Sequence, residues 1–422
     1  MAKNKRLLTA LVMLGVCMGL FTGCRIGKEA VNYADRQVET KIVTLSELSG
    51  EETVVLPENS GAAANSEQPE KQPGDFSDSC AGTYAYDLLS DAEKSWYRGI
   101  NAVLLARNDD CVELSEEGLA AGLTQDDVDH IFQAVLIDHP EYFYVTGYQY
   151  TRYTRADKLV RVEFLPTYSI DYETAVARKD EIEAAAAAIL AQAPLDGSDY
   201  DKVKFVYDYV IRNTEYNLNA PENQNIYSVL CAGESVCQGY AKTVQLLLNR
   251  MGVECTLVLG YVDGGEGHAW NLVKVDGEYY YVDATWGDAS YYSSTGEELS
   301  MDFMDVSYDY LCVTTKELFK THTVSDNMTM PTCSATNANY YVRNGAYFIA
   351  YDKEQLQSLI DGAILNGETF VTIKCANDAA YYEMNTKLID EQEIFEYLDG
   401  SYHSLGFSQN DQQLSLTFWM TK

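Results

Sequence analysis

The sequence is short of positive charge: 30 Lys and Arg stand against 64 Asp and Glu in 422 residues, a formal net charge of −34. A surface of that sign repels phosphate backbones and anionic headgroups, which excludes nucleic acid as a partner class. Histidine is scarce and scattered, five residues in all. No CxxC pair occurs, so the spacing of a structural metal site is missing. A calcium-loop pattern is missing as well, and neither a metal nor another cofactor is expected. Proline is sparse, eight residues, and three of them (Pro57, Pro69 and Pro73) fall in one stretch. No internal repeat is present. Apolar residues make up 46%, enough for most of the chain to bury a core, and the length suits two or three domains.

The first 24 residues form a unit of their own. Lys3, Lys5 and Arg6 precede an uncharged apolar run from Leu7 to Thr22, short for a membrane span and long enough for the core of a signal peptide. The run ends LFTGC at Cys24, which resembles a bacterial lipoprotein lipobox, with Phe21 where leucine is commonest. That resemblance implies cleavage before Cys24, lipidation of its sulfur and a place on the outer face of a bacterial membrane. An ordinary cleaved leader is the other reading, and it too means export. Losing residues 1–23 removes three positive charges and no acid, so the mature chain is more acidic still. Export permits disulfides, but spacing does not reveal their pairing. With Cys17, Cys24 and a reactive Cys237 set aside, seven of the ten cysteines remain, so at least one of those is unpaired.

From about Ser46 to Ser79 hydrophobic periodicity is lost among Glu, Ser, Ala and Gly, as in a flexible tether. Folding begins near Cys80. Ser90 with Glu93 reads as a capping box, ahead of Trp96, Ile100, Val103 and Leu104 at helical spacing. A second helix fits Thr124 to Leu136, a β-hairpin fits Tyr142–Phe164, and two more helices fit Tyr172–Gln192 and Tyr200–Arg212. After Pro331 a new unit is expected, opening with a hairpin around Asn344-Gly345. A helix through Leu356 and Ile360, a strand Thr369–Lys374, a helix near Ile394 and Leu398, and a last strand with Leu414, Leu416, Phe418 and Met420 on one face follow. The expected organisation is a leader (1–23), tether (24–80), N-terminal α/β region (81–195), catalytic core (196–326) and small α+β domain (327–422).

The chemistry lies between Tyr227 and Asp288. Tyr240, Val244, Leu247, Leu248 and Met251 mark one face of a helix, which Gly252 stops. With Ser235 as the expected cap, Cys237 falls in the first turn, where free N–H groups and the helix dipole favour a thiolate. A buried structural cysteine is the competing reading of this segment. Downstream, GHAWNLVKV and EYYYVDATW flank Asp276-Gly277, a two-residue turn signal. Such a turn pairs Val275 with Glu278, so His268 faces Thr285 and Asp283 faces Trp270. His268 and Asp283 then lie on one face as diagonal neighbours, within reach of an imidazole and a carboxylate.

SVCQGYA, GHAW and VDATW together resemble the Cys, His and Asp signature of the transglutaminase-like superfamily, in that chain order, with spacings of 31 and 15 residues. LSDAEKSWY, DHPEYFYV and YYVRNGAYF resemble regions of exported bacterial proteins with this domain. The resemblance implies an α+β, papain-like fold with a helix-borne nucleophile packed on an antiparallel sheet. It implies acyl transfer with Cys237 as nucleophile, His268 as base and Asp283 as orienter. The Cys237 N–H and an upstream side chain, for which Tyr227 is the candidate, would meet the oxyanion. Trp270 either shields the pair from water or simply packs the core. His322 reads as structural or exposed, and His130, His139 and His403 have no partner pattern. The implied partner is a protein or peptide substrate, including cell-wall-associated ones. Hydrolysis of an amide bond by a protease or amidase is preferred, because water needs no dedicated acceptor site. Transfer to a lysine amine, or a non-catalytic binding module, are the alternatives.

Overall fold

The computed structural model describes the backbone of residues 36–44, and residues 83–288, 306–325, 328–398 and 405–420. The leader with Cys24, residues 46–79 and His403 lie outside the described residues. Part of the expected tether does not stay free: Arg36–Thr44 pairs antiparallel with Val145–Arg155.

Three four-stranded sheets carry an α+β architecture. The first is built on the hairpin Val145–Arg155 and Lys158–Tyr168. Against it pack the helices Asp91–Ala106 and Gln125–Asp138, both opened by reciprocal Ser/Thr–acid boxes, Ser90 with Glu93 as its sequence announces and Thr124 with Asp127. Trp96, Phe132, Tyr148 and Phe164 are fully buried between them. This core is not closed off from the next. Ala241, Leu246, Leu257 and Ala269 of the central body belong to the same apolar cluster, and the buried Gln245 amide donates 2.7 Å to the Ile137 carbonyl.

The central body packs the helices Asp199–Asn213 and Cys237–Arg250 on an antiparallel sheet. Its strand order is His322–Val324, Cys255–Val262, Gly267–Val275 and Glu278–Val282. Tyr240, Val244, Leu247 and Leu248 are 1% exposed or less, and each contributes roughly 1.5–3 kcal/mol. Their sum far outweighs the ~1 kcal/mol that Gly239 costs the helix. That glycine is required, because a Cβ there would fall on the Ser235 hydroxyl and lie 3.0 and 3.1 Å from the Asn225 and Asn223 carbonyls.

The C-terminal sheet runs Tyr347–Phe348, Phe370–Cys375, Ser415–Met420, Leu405–Asn410. The expected hairpin around Asn344-Gly345 is absent from this region. Tyr340–Arg343 is a short helix capped by the Asn339 side chain, and Gly345 (φ 69°) ends it as the Ala346 N–H reaches back 2.8 Å to the Tyr341 carbonyl. An Asn-Gly pair serves a helix C-terminus as readily as a hairpin. Near Ile394 the turn is a 3₁₀ segment, Glu393–Tyr397, and a helix not expected from the sequence, Asp378–Asn385, precedes it. A buried ion pair between Lys374 and Asp309 (3.6 Å), with Ser415 donating 2.7 Å to the same carboxylate, ties this sheet to the central body.

Candidate active site

Cys237 is the first residue of its helix, after Val236 in extended conformation (φ −125°). Ser235 does not cap it: no side chain does. The Ser235 hydroxyl instead donates 2.7 Å to the Asn223 carbonyl and meets the Ser228 hydroxyl at 2.7 Å, pinning the preceding loop. The outcome favours reactivity more than a cap would, since the N-terminal N–H groups and the positive dipole end stay available to an anion.

The hairpin has the register its turn dictates. Asp276 and Gly277 both take positive φ (52° and 88°), and Val275 pairs with Glu278 through to Asn271 with Val282. Pairing stops there, and the diagonal step brings His268 Nε2 to 2.7 Å from Asp283 Oδ2. The other carboxylate oxygen accepts the Thr285 and Trp286 N–H groups at 2.9 and 3.1 Å. With Nε2 engaged on Asp283, the remaining ring nitrogen, Nδ1, is the one left for the hydrogen bond that His268 makes with the Cys237 sulfur.

Burial pulls the His268 imidazolium down, but the Asp283 carboxylate and the Cys237 sulfur push it up to about 10. Burial would raise the Asp283 carboxyl, yet the His268 and His322 rings hold it well below the usual carboxylate range. Neighbouring charge and hydrogen bonding win over desolvation in both groups. At neutral pH the site therefore holds an imidazolium between a carboxylate and a sulfur.

His322 takes the structural of the two readings its sequence left open, and not the exposed one: its side chain is fully buried and its Nε2 lies 3.0 Å from the same Asp283 oxygen. Only the antiparallel pairing of His322 with Val262 brings it there, so no local pattern could have flagged it. Trp270 is fully buried, its ring stacked 5.9 Å from His268 and edge-on to His322 at 5.0 Å. Trp286 closes the opposite side, 6.2 Å from His268 and 4.9 Å from His322. Among the described residues, His268, Asp283 and His322 are the group whose ligand-type atoms converge, within 4.8 Å. A metal there would have to displace both N–H donors.

Tyr227 goes elsewhere. Its hydroxyl donates 2.8 Å to Glu181, and its ring stacks on Phe143 under Arg178. The cleft at Cys237 and His268 is lined instead by Tyr216, Asn223, Gln224 and Glu266, among others. Asn223 spends its amide donors on the Asn217 and Leu218 carbonyls. His139 pairs with Glu141 at 2.9 Å and His130 approaches Glu93 at 4.0 Å, both away from this cleft. No disulfide joins two of the seven described cysteines, Cys237 among them.

Residues 187–284, which span Cys237, His268 and Asp283, match the family model described as the transglutaminase-like superfamily. The chain is similar to the human kyphoscoliosis peptidase, 24% identical over 238 residues (51% of this chain, 35% of that protein). It is also similar to the mouse kyphoscoliosis peptidase, 24% over 198 residues (42% and 29%). It thus spans about a third of the length of the curated relatives it matches. Among solved structures it is similar to a TGase crystal structure at 19% identity and a TM-score of 0.24, over 30% of this chain and 41% of that one.

Proposed function

We propose, from the premise that this chain carries a transglutaminase-like superfamily core with an α+β, papain-like arrangement, that it is a cysteine enzyme cleaving amide bonds through a thioester. The reading rests above all on the 2.7 Å bond between His268 Nε2 and Asp283, which leaves Nδ1 for Cys237.

The ring that the sequence casts as a base starts here as an acid. The Cys237 thiolate adds to the amide carbonyl carbon, and the carbonyl π electrons move to oxygen. The Cys237 N–H, at the uncapped helix end, faces that oxyanion. Gln224, which lines the cleft with Cys237, replaces Tyr227 as the side-chain donor. Imidazolium His268 gives its Nδ1 proton to the leaving amine as the C–N bond breaks. Now neutral, it takes a proton from water, whose hydroxide attacks the thioester and releases the acid and the thiolate. Asp283 keeps the proton on Nε2 throughout, and Trp270 and Trp286 keep the pair dry.

Hydrolysis is preferred over transfer to an amine because water needs no acceptor site. Incubation with a glutaminyl peptide and a labelled primary amine tests this: release of ammonia without label is expected, and label incorporation lost in Cys237→Ala would establish amine transfer instead. A binding module predicts neither product. The leader supports a lipid-anchored location on the outer face of a bacterial membrane. Palmitate labelling that survives in the wild type and vanishes in Cys24→Ala checks it.

A further inference from the structure

We propose that His322 is a positioning residue for this reaction: a second imidazole that holds the Asp283 carboxylate against His268 and is itself held by the C-terminal domain. The proposal rests on the Cys237–His268–Asp283 reading.

Asp283 Oδ2 takes two N–H donors, His268 at 2.7 Å and His322 at 3.0 Å, while Oδ1 takes two backbone donors. A carboxylate with both oxygens filled in this way has no alternative rotamer that keeps its bonds. His322 is enclosed by the rings of Trp270, Trp286 and Tyr310, at 5.0, 4.9 and 5.6 Å. In so dry a place each of its nitrogens needs a partner. The Thr321 hydroxyl is that partner for Nδ1, at 2.7 Å. The same hydroxyl has the Leu318 carbonyl as a longer alternative acceptor at 3.3 Å; donating across the shorter contact, it leaves Nδ1 a lone pair and Nε2 the proton aimed at Asp283, so Thr321 sets the tautomer.

The chain of contacts continues outward. Tyr310 Oη lies 3.4 Å from Thr321 Oγ1 and accepts a hydrogen bond from the Gln413 side chain. Gln413 Oε1 in turn accepts from buried Lys374 Nζ at 3.1 Å. Every group can donate inward: Lys374 to Gln413, Gln413 to Tyr310, Tyr310 to Thr321, Thr321 to His322, His322 to Asp283. Gln413 and Lys374 belong to the C-terminal sheet and its turn, which gives that domain a task at the site. The titratable groups that face this line are His268 and Cys237 beyond Asp283, and Asp309 beside Tyr310. A histidine that merely fills the core is the competing explanation, and it predicts lost stability with an unchanged site.

The experiment is the rate of Cys237 alkylation by iodoacetamide across pH 3.5–9 on the full chain. It is read by peptide mass mapping, with thermal melts alongside. In the wild type, rapid alkylation is expected to persist into acid. His322→Leu removes one of the donors that hold Asp283 against His268, so the imidazolium is held less firmly and the acid limb of alkylation, which belongs to the coupled Cys237–His268 pair, moves up by about one pH unit. Alkylation at the old midpoint slows several-fold. His322→Gln, whose amide can reach the same oxygen, restores the limb. Thr321→Val, which frees the tautomer, shifts it the same way by less. A His322→Leu profile that overlays the wild type overturns the proposal, whatever the melt shows. If that variant does not fold, an unmoved limb in Thr321→Val overturns it. Should wild-type Cys237 react no faster at acid pH than a free cysteine, or His268→Ala react like wild type, the underlying triad reading fails and this proposal falls with it.

Discussion

Replacing Asp283 by asparagine probes the site hardest, because the structure leaves the amide no comfortable pose. One carboxylate oxygen accepts two backbone N–H groups and the other accepts two imidazole N–H groups. An asparagine has one oxygen, so its NH₂ must confront donors on one side. The relief is for His268 to move its proton to Nδ1 and accept from the amide, which points an N–H at Cys237. Without the carboxylate, burial acts on His268 against the Cys237 sulfur alone, and its pKa falls from about 10. Turnover should fall by about 10³–10⁴, the scale seen when another triad is given the wrong tautomer. With five histidines in the chain, ¹⁵N imidazole NMR can follow His268 directly. The wild-type ring should stay protonated past pH 8, and the Asp283→Asn ring should lose its proton at lower pH. A variant ring still protonated at pH 8, with unchanged alkylation of Cys237, would refute the electrostatic account.

Other expectations follow from the same geometry. Gly239→Ala should destabilise by about 1–3 kcal/mol through overpacking, measured by urea unfolding. Adding Ser235→Ala should recover part of this, because the Asn225 and Asn223 carbonyls still press on the new Cβ. Lys374→Met leaves Asp309 buried without its cation and should cost roughly 3–5 kcal/mol, whereas removing an exposed pair such as Lys353 with Glu396 should leave the unfolding curve almost unmoved. The pH dependence of stability has two signs. His268 is raised, so its contribution is complete below about pH 6.5 and is lost as pH climbs through about 10. Asp283 is lowered, so its contribution is present above its ordinary value of 3.8 and fades as pH falls below it. Melting temperatures of Asp283→Asn should therefore lose the wild-type decline between pH 7 and 10, and a variant curve parallel to wild type would refute the linkage.

What the amino-acid order determined by itself was whatever depends on neighbours along the chain. The capping box at Ser90, helical spacing after Cys237 and the Asp276-Gly277 turn involve residues within about a dozen positions. The turn is the most informative of these. A two-residue loop fixes register, and register alone placed His268 diagonal to Asp283. Local signals failed where two structures share one signature, as at Asn344-Gly345, or where a better partner lay across the fold, as for Ser235 and Tyr227. Only the tertiary structure could decide what surrounds Asp283. His322 arrives 39 residues later on a strand added beyond Cys255–Val262, and Gln413 arrives from another sheet. Such contacts follow from which faces pack together, and a buried carboxylate collects its donors from every element that meets it.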